Sequence, residues 1–142
     1  MDWLKIKSGI NLTQFYGIEK DDYAHEAAKL SLWIAQHQMN SYFKEIFFET
    51  RPTLPLSPSG NIVCGDSTIQ NWDKVCPKNK NKKYYILGNP PYVGSSWQTK
   101  EQKSNMAKVF KGISNFKNLD YISCWFFIGS QYISDIDAKL AF

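Results

Sequence analysis

The sequence holds only three cysteines, Cys64, Cys76 and Cys124, and no Cys-x-x-Cys pair. An odd count without that spacing argues against a disulfide framework and against a zinc site. Reduced thiols in a cytoplasmic protein are the simplest reading. Histidine is scarcer still. His25 and His37 stand twelve residues apart, not the four that would put a metal pair on one helix face, and no metal is expected. No apolar run approaches the roughly 18 residues needed to span a bilayer, and the N-terminus lacks the shape of a signal peptide, so no membrane partner is expected. Charge of one sign is also in short supply: 17 Lys and Arg against 13 Asp and Glu leave a net charge of +4. Such an excess is compatible with a polyanionic partner, but its usual cause is a solvated surface.

What remains is an ordinary globular composition with a high aromatic share, 15%. A chain of 142 residues is long enough for one domain with a modest core. Residues 13–19 read as a buried strand that ends on the acid Glu19. Asp21 and Asp22 offer an N-cap and a first-turn acid. A long helical pattern follows, with Tyr23, Ala27, Leu30 and Ile34 on one stripe and Ala28, Leu32, Ala35, Met39, Phe43 and Ile46 on its neighbour. So wide an apolar face suits a helix packed on a sheet, and Trp33 and His37 belong to that packing or its rim. The segment 51–60 carries Pro52, Pro55 and Pro58 and breaks the helix.

Residues 61–66 form a short strand ending in Gly65-Asp66, and residues 67–72 have the length of one helical turn. A polar stretch with Lys78, Lys80, Lys82 and Lys83 leads into a strand over Tyr84–Gly88. Residues 93–118 read as a long polar loop rich in lysine. Asp120 precedes an apolar run, Tyr121–Ile133, which reads as a buried helix, and Ala138–Phe142 as one more strand. This order is that of an α/β protein with a mostly parallel sheet and flanking helices. In such sheets ligands bind beyond the carboxyl ends of the strands, where Glu19, Asp66 and Asn89 stand.

Each of these ends has a chemistry. A carboxylate after the second strand of a nucleotide-binding sheet accepts hydrogen bonds from both ribose hydroxyls, the place of Glu19. An acid at the next strand end accepts from the amino group of an adenine ring, the place of Asp66. The densest signal is Asn89-Pro90-Pro91-Tyr92, with two hydrogen-bond acceptors and an aromatic face on a backbone stiffened by two prolines. The Asn89 side chain and the Pro90 carbonyl both accept from a planar amine and draw its lone pair toward an electrophile. Tyr92 stacks on the ring that bears the amine. Direct transfer of a methyl group from a sulfonium needs no strong general base, in keeping with the absence of histidine near the motif. An amine that belongs to a duplex base requires that base to be flipped out, at a cost of about a few kcal/mol.

Across nearly its whole length the chain resembles the catalytic domain of S-adenosylmethionine-dependent, adenine-specific DNA methyltransferases, most of all the large bacterial restriction–modification enzymes. Phe15–Glu19 is similar to the family's ribose-binding strand end, and the helix from Asp22 through His37-Gln38-Met39-Asn40 to the one that follows it. Asn61–Asp66 resembles the adenine-contacting segment, Asn89-Pro90-Pro91-Tyr92 matches the catalytic motif, and Asp120-Tyr121 is similar to the start of the next helix. The resemblance implies a partial class I, Rossmann-like methyltransferase fold. Its cofactor is S-adenosylmethionine, its partner is duplex DNA with a flipped adenine, and its compartment is the cytoplasm. One departure stands out. Residues 1–12 hold a single glycine, Gly9, so the family's first strand and methionine-binding Gly-rich loop are missing.

Residues 1–142 are therefore expected to be a fragment of one methyltransferase catalytic domain, binding the cofactor weakly and inactive alone. The missing central strand leaves unpaired edges, which invite self-association or an intruding segment such as Trp3–Ile10. The same tetrapeptide serves methyltransferases acting on a protein glutamine amide or an RNA guanine amine, and a nucleic-acid-binding module without catalysis is a further alternative. The lysines of 78–83 and 100–117 are candidates for phosphate contact, and Trp97 and Phe110 for support of a flipped base.

Overall fold

A computed structural model describes residues 9–48 and 60–142. The chain divides into two compact units, Met1–Gly65 and Asp66–Phe142. In the first, Asn11 caps a short 3-10 turn over Leu12–Gln14 with a full capping box. The chain then enters strand β1, Tyr16–Glu19. The expected strand over 13–19 is thus shorter at its start, because the Asn11 side chain accepts the Thr13 N–H at 3.1 Å and curls that stretch into a turn. Nor is β1 buried: Tyr16 is exposed and the other three residues are half-buried.

Asp21 accepts the Ala24 N–H at 2.8 Å and starts helix α1, Asp22–Phe47. Strand β2, Asn61–Cys64, pairs parallel with β1, Tyr16 opposite Asn61 and Glu19 opposite Cys64. His25 on α1 sets Nε2 3.1 Å from the Ile62 carbonyl of β2, which can only accept, so the ring donates and pins helix to strand. Gly60 has φ +83°, and a Cβ there would meet Leu32 Cδ1 at 2.8 Å; the entry to β2 therefore needs glycine. The wide apolar face read from the sequence is only partly used. No residue of α1 is buried, and Tyr23, Leu30 and Met39 are exposed, because a sheet of two short strands is too narrow to cover it. The proline-rich segment lies outside the described residues apart from Gly60, and so does 3–10 apart from Gly9 and Ile10.

In the second unit, helix α2 spans Trp72–Val75, capped by Asn71. The expected helical turn at 67–72 is displaced, since Asp66 draws residues 67–70 into a tight turn through its own carbonyl, which accepts from Ile69 and Gln70. Strand β3, Lys83–Leu87, and strand β4, Asp137–Ala141, pair in parallel, Lys83 opposite Asp137 and Leu87 opposite Ala141. Parallel neighbours require a long crossover, and here it contains helix α3, Lys100–Val109, and helix α4, Ser123–Ile133. The stretch read as a loop thus holds a ten-residue helix. Gly129 lets α4 lie close on β4, since a Cβ there would meet Leu140 Cδ2 at 2.8 Å. Met106, Phe110, Tyr121 and Cys124 form the buried core, with Val93, Phe116 and Trp125 packed around it. The architecture is α/β with parallel strands, in two two-stranded sheets. Within each sheet β1 and β3 have one neighbour apiece among the described residues.

Candidate functional site

Strand β3 delivers the tetrapeptide to the surface. Its last residue is Leu87, and the Gly88 N–H still reaches the Ala141 carbonyl at 3.1 Å. From there the chain leaves the ladder. Pro90 is buried, whereas Asn89 and Pro91 are exposed. Tyr92 keeps 68% of its surface open, so its ring face is free to receive a planar partner.

The next residue is held from three sides. Asp120 Oδ1 accepts the Val93 N–H at 2.9 Å, the Val93 carbonyl accepts the Tyr121 N–H at 2.9 Å, and Gln98 Nε2 donates to the same carbonyl at 3.0 Å. Gln98 is 6% exposed, and its Nε2 also donates to the Leu119 carbonyl at 2.9 Å. Asp120 Oδ1 accepts the Ile122 N–H at 3.1 Å as well. The motif is thus a rigid dipeptide of prolines between a strand and a clamped residue, with Asn89 and Tyr92 exposed.

Asp66 opens the same unit and is half-buried. Its Oδ1 accepts the Thr68 N–H at 2.9 Å and the Thr68 hydroxyl at 2.6 Å. Its Oδ2 accepts from Asn105 Nδ2 at 3.3 Å. Thr68 Oγ1 lies 3.5 Å from the Tyr121 hydroxyl, and Tyr121 is the residue whose N–H holds Val93. Tyr121 thus touches Thr68 with its hydroxyl and, from its backbone, Val93, the residue after the tetrapeptide. Trp125 Nε1 and Trp72 Nε1 donate to Ser67 Oγ and Ser67 O, both at 2.9 Å, and fix the turn that carries it.

Glu19 lies in the first unit, half-buried at the end of β1. Its Oε1 accepts the N–H groups of Lys20 and Asp21 at 2.8 and 3.2 Å. A carboxylate has about four acceptor directions, so its aim is fixed while capacity remains. The strand end itself is secured by the Gly65 N–H on the Glu19 carbonyl at 2.8 Å.

Thr68, Gln98 and Asn105, all buried, were not singled out from the sequence. The Thr68 bonds to Asp66 are local, an Asp-x-Thr turn that the sequence does carry, whereas Asn105 to Asp66 and Gln98 to the Leu119 carbonyl span 39 and 21 residues and leave no spacing pattern. Phe110, expected to support a base, is 5% exposed, stacked on Phe116 and tilted against Phe127 in the core; helix α3 turns it inward. Trp97 is 85% exposed. Lys78 bridges Asp73 and Asp135 at 3.3 and 3.0 Å, and these two carboxylates hold its ammonium above the ordinary lysine range. Lys83 pairs with Asp137 at 3.6 Å. Among the described residues no group of three or more His, Cys, Asp or Glu is placed to hold a metal ion, and no helix is long and apolar enough to cross a membrane.

Residues 2–142 match the family described as MmeI, DNA-methyltransferase domain. The chain is 51% identical over 134 residues to a protein named DNA methyltransferase A from Bacillus subtilis (strain 168), which covers 94% of this chain and 15% of that protein. Among solved structures it is similar to the Type IIL restriction-modification enzyme MmeI in complex with DNA, with a TM-score of 0.81 and 31% identity over 92% of this chain and 18% of that one. The chain spans less than a fifth of the length of either relative.

Proposed function

The chain belongs to the MmeI DNA-methyltransferase domain family, and from that premise we propose that residues 1–142 form part of the catalytic domain of a larger enzyme that methylates the exocyclic amine of adenine in duplex DNA. The observation that carries this reading is the tetrapeptide Asn89-Pro90-Pro91-Tyr92 at the end of a parallel strand, with Asn89 and Tyr92 exposed and the residue that follows clamped. The Asn89 amide oxygen and the Pro90 carbonyl accept from the amine and orient it. Tyr92 stacks on the flipped base. Restriction–modification is the setting, and bacterial DNA as substrate makes the cytoplasm its compartment.

The residue types suit the adenosine half of S-adenosylmethionine, each within its own unit. Glu19 has acceptor capacity for ribose hydroxyls, and Asp66 is a carboxylate, oriented by Thr68 and Asn105, of the kind that accepts from an adenine amine. Residues 1–12 offer no glycine pair for the methionine end. When bound, S-adenosylmethionine supplies an electrophilic methyl group. By this reading the isolated chain binds it weakly by calorimetry, and the edges of β1 and β3 that have no neighbour among the described residues favour self-association, visible as particles larger than a monomer in light scattering.

The test is methyl transfer by a full-length enzyme carrying this domain. It is given duplex DNA and methyl-labelled S-adenosylmethionine, and the nucleosides are then analysed. N6-methyladenine is the expected product, lost in Asn89→Ala and Tyr92→Ala. Label on cytosine, on an RNA guanine amine or on a protein glutamine amide would sink the reading.

A further inference from the structure

In the first lysine-rich segment Lys78 and Lys83 pair with Asp73, Asp135 and Asp137, while Lys80 and Lys82 have no ion-pair partner among the described residues and do not line the cleft described next. In the second, Lys103 of α3 and Lys117 of the 3-10 turn Phe116–Asn118 have no ion-pair partner among the described residues. These two unpaired cations line one open cleft of about 410 Å³ together with Ser95, Ser96 and Asn118. No acidic residue lines it. Two positive charges, two hydroxyls and an amide around one concavity suit a ligand that is anionic and rich in acceptors.

The cleft adjoins the tetrapeptide. Gln98 lines it and also holds the Val93 carbonyl at 3.0 Å. Ser95 follows Tyr92 by three residues, a reach of at most about 10 Å. Phosphates of one DNA strand recur every ~3.4 Å of helix axis, so a phosphate held there belongs to a nucleotide within about three steps of a base at Tyr92. We propose that this cleft is the seat of a DNA backbone phosphate beside the target base, with Lys103 and Lys117 as its two cations. The assignment rests on the methyltransferase reading for the identity of the base, but not for the binding of the phosphate.

The test is the salt dependence of binding. Fluorescence anisotropy follows a labelled duplex with a full-length enzyme carrying this domain across a range of salt concentrations. Lys103→Gln and Lys117→Gln are compared with Lys83→Gln, which removes the same charge elsewhere. Each cleft variant is expected to flatten the slope of log affinity against log salt by about 0.9, Lys83→Gln by less than half of that, and Lys103→Arg not at all. Equal effects from all three glutamine variants, or unchanged slopes in the cleft variants, would overturn the proposal. The two readings fail separately. Cleft-dependent slopes with no adenine methylation by the full-length enzyme leave the cleft standing and remove the reaction. Adenine methylation with slopes indifferent to Lys103 and Lys117 does the reverse.

Discussion

Asp120 Oδ1 accepts the backbone N–H of Val93 at 2.9 Å across 27 residues of chain. The bond joins the residue after the tetrapeptide to the foot of α4, and the same oxygen accepts the Ile122 N–H. Asp120→Ala removes the acceptor of both bonds at a half-buried place and is expected to destabilise the fold by about 1.5–3 kcal/mol. Asp120→Asn keeps a neutral oxygen there and should recover about half of that loss. Urea unfolding measures the ordering, and hydrogen exchange at the Val93 amide should quicken most in the alanine variant. Wild-type stability in the alanine variant would show that the carboxylate carries nothing.

Gln98 has no charge, yet one nitrogen holds two carbonyls, those of Val93 and Leu119. Gln98→Leu keeps most of the volume and strips both donors. The Val93 carbonyl still has Tyr121, but the Leu119 carbonyl loses the one side chain bonded to it here. The expected cost is about 1–3 kcal/mol, read from the denaturation midpoint, and in a full-length enzyme a lower kcat with KM little changed. An equal rise of KM with kcat unaffected would mean that Gln98 acts on substrate binding and not on the placement of Tyr92.

The strand ends were legible because each combines a short apolar run with a polar stop: Ile18-Glu19, Ile62 to Asp66, Ile86 to Asn89. Their β-branched residues and following caps carry local information, and the parallel pairing follows from the helices between them. Helix α3 was hidden by its composition. Five of its residues are charged or amide-bearing in the first six, and its apolar positions, Met106 and Val109, come only in its last turns. Its start was readable from the Thr99-x-x-Gln102 capping box. Phe110 was misplaced for the same reason, since a residue assigned to a loop is taken as exposed when it ends an amphipathic helix. The pairing of Lys78 with Asp135, 57 residues away, has no local signature, so the division between occupied and open lysines emerges only from the fold.

Asn105 donates to Asp66 Oδ2 at 3.3 Å from a position 2% exposed. Asn105→Asp replaces that donor by a second carboxyl group facing the first. Two such groups cannot both ionise cheaply, so the folded pair holds a proton above the ordinary carboxylate value of about 4. A folded pKa above the unfolded one gives a contribution that is intact below about pH 4 and lost as pH rises through the raised value. The deficit of the variant against wild type should therefore be small at pH 4 and large at pH 7. Urea titrations at the two values test this, and a deficit independent of pH would show that the carboxyls do not meet.

Cys64 is exposed, but its thiol sits 3.0 Å from Asp22 Oδ1. That hydrogen bond, then partial desolvation and then the charges of Asp22, Asp21 and Glu19, raise its pKa above the ordinary 9.0. Only the thiolate attacks an alkylating reagent, so at pH 8 Cys64 is expected to react more slowly than a free cysteine despite its exposure. Asp22→Asn removes the strongest of these influences and should speed labelling several-fold, while helix α1 keeps its Asp21 cap. Cys124 is the contrast: fully buried, and pushed up to about 11 chiefly by burial. It should stay unlabelled until the chain unfolds, and the stability it contributes is intact below about pH 9 and lost as pH climbs through 11. Mass spectrometry of alkylated peptides resolves the two sites. If Asp22→Asn leaves the Cys64 rate at pH 8 unchanged, the carboxylate does not control that thiol.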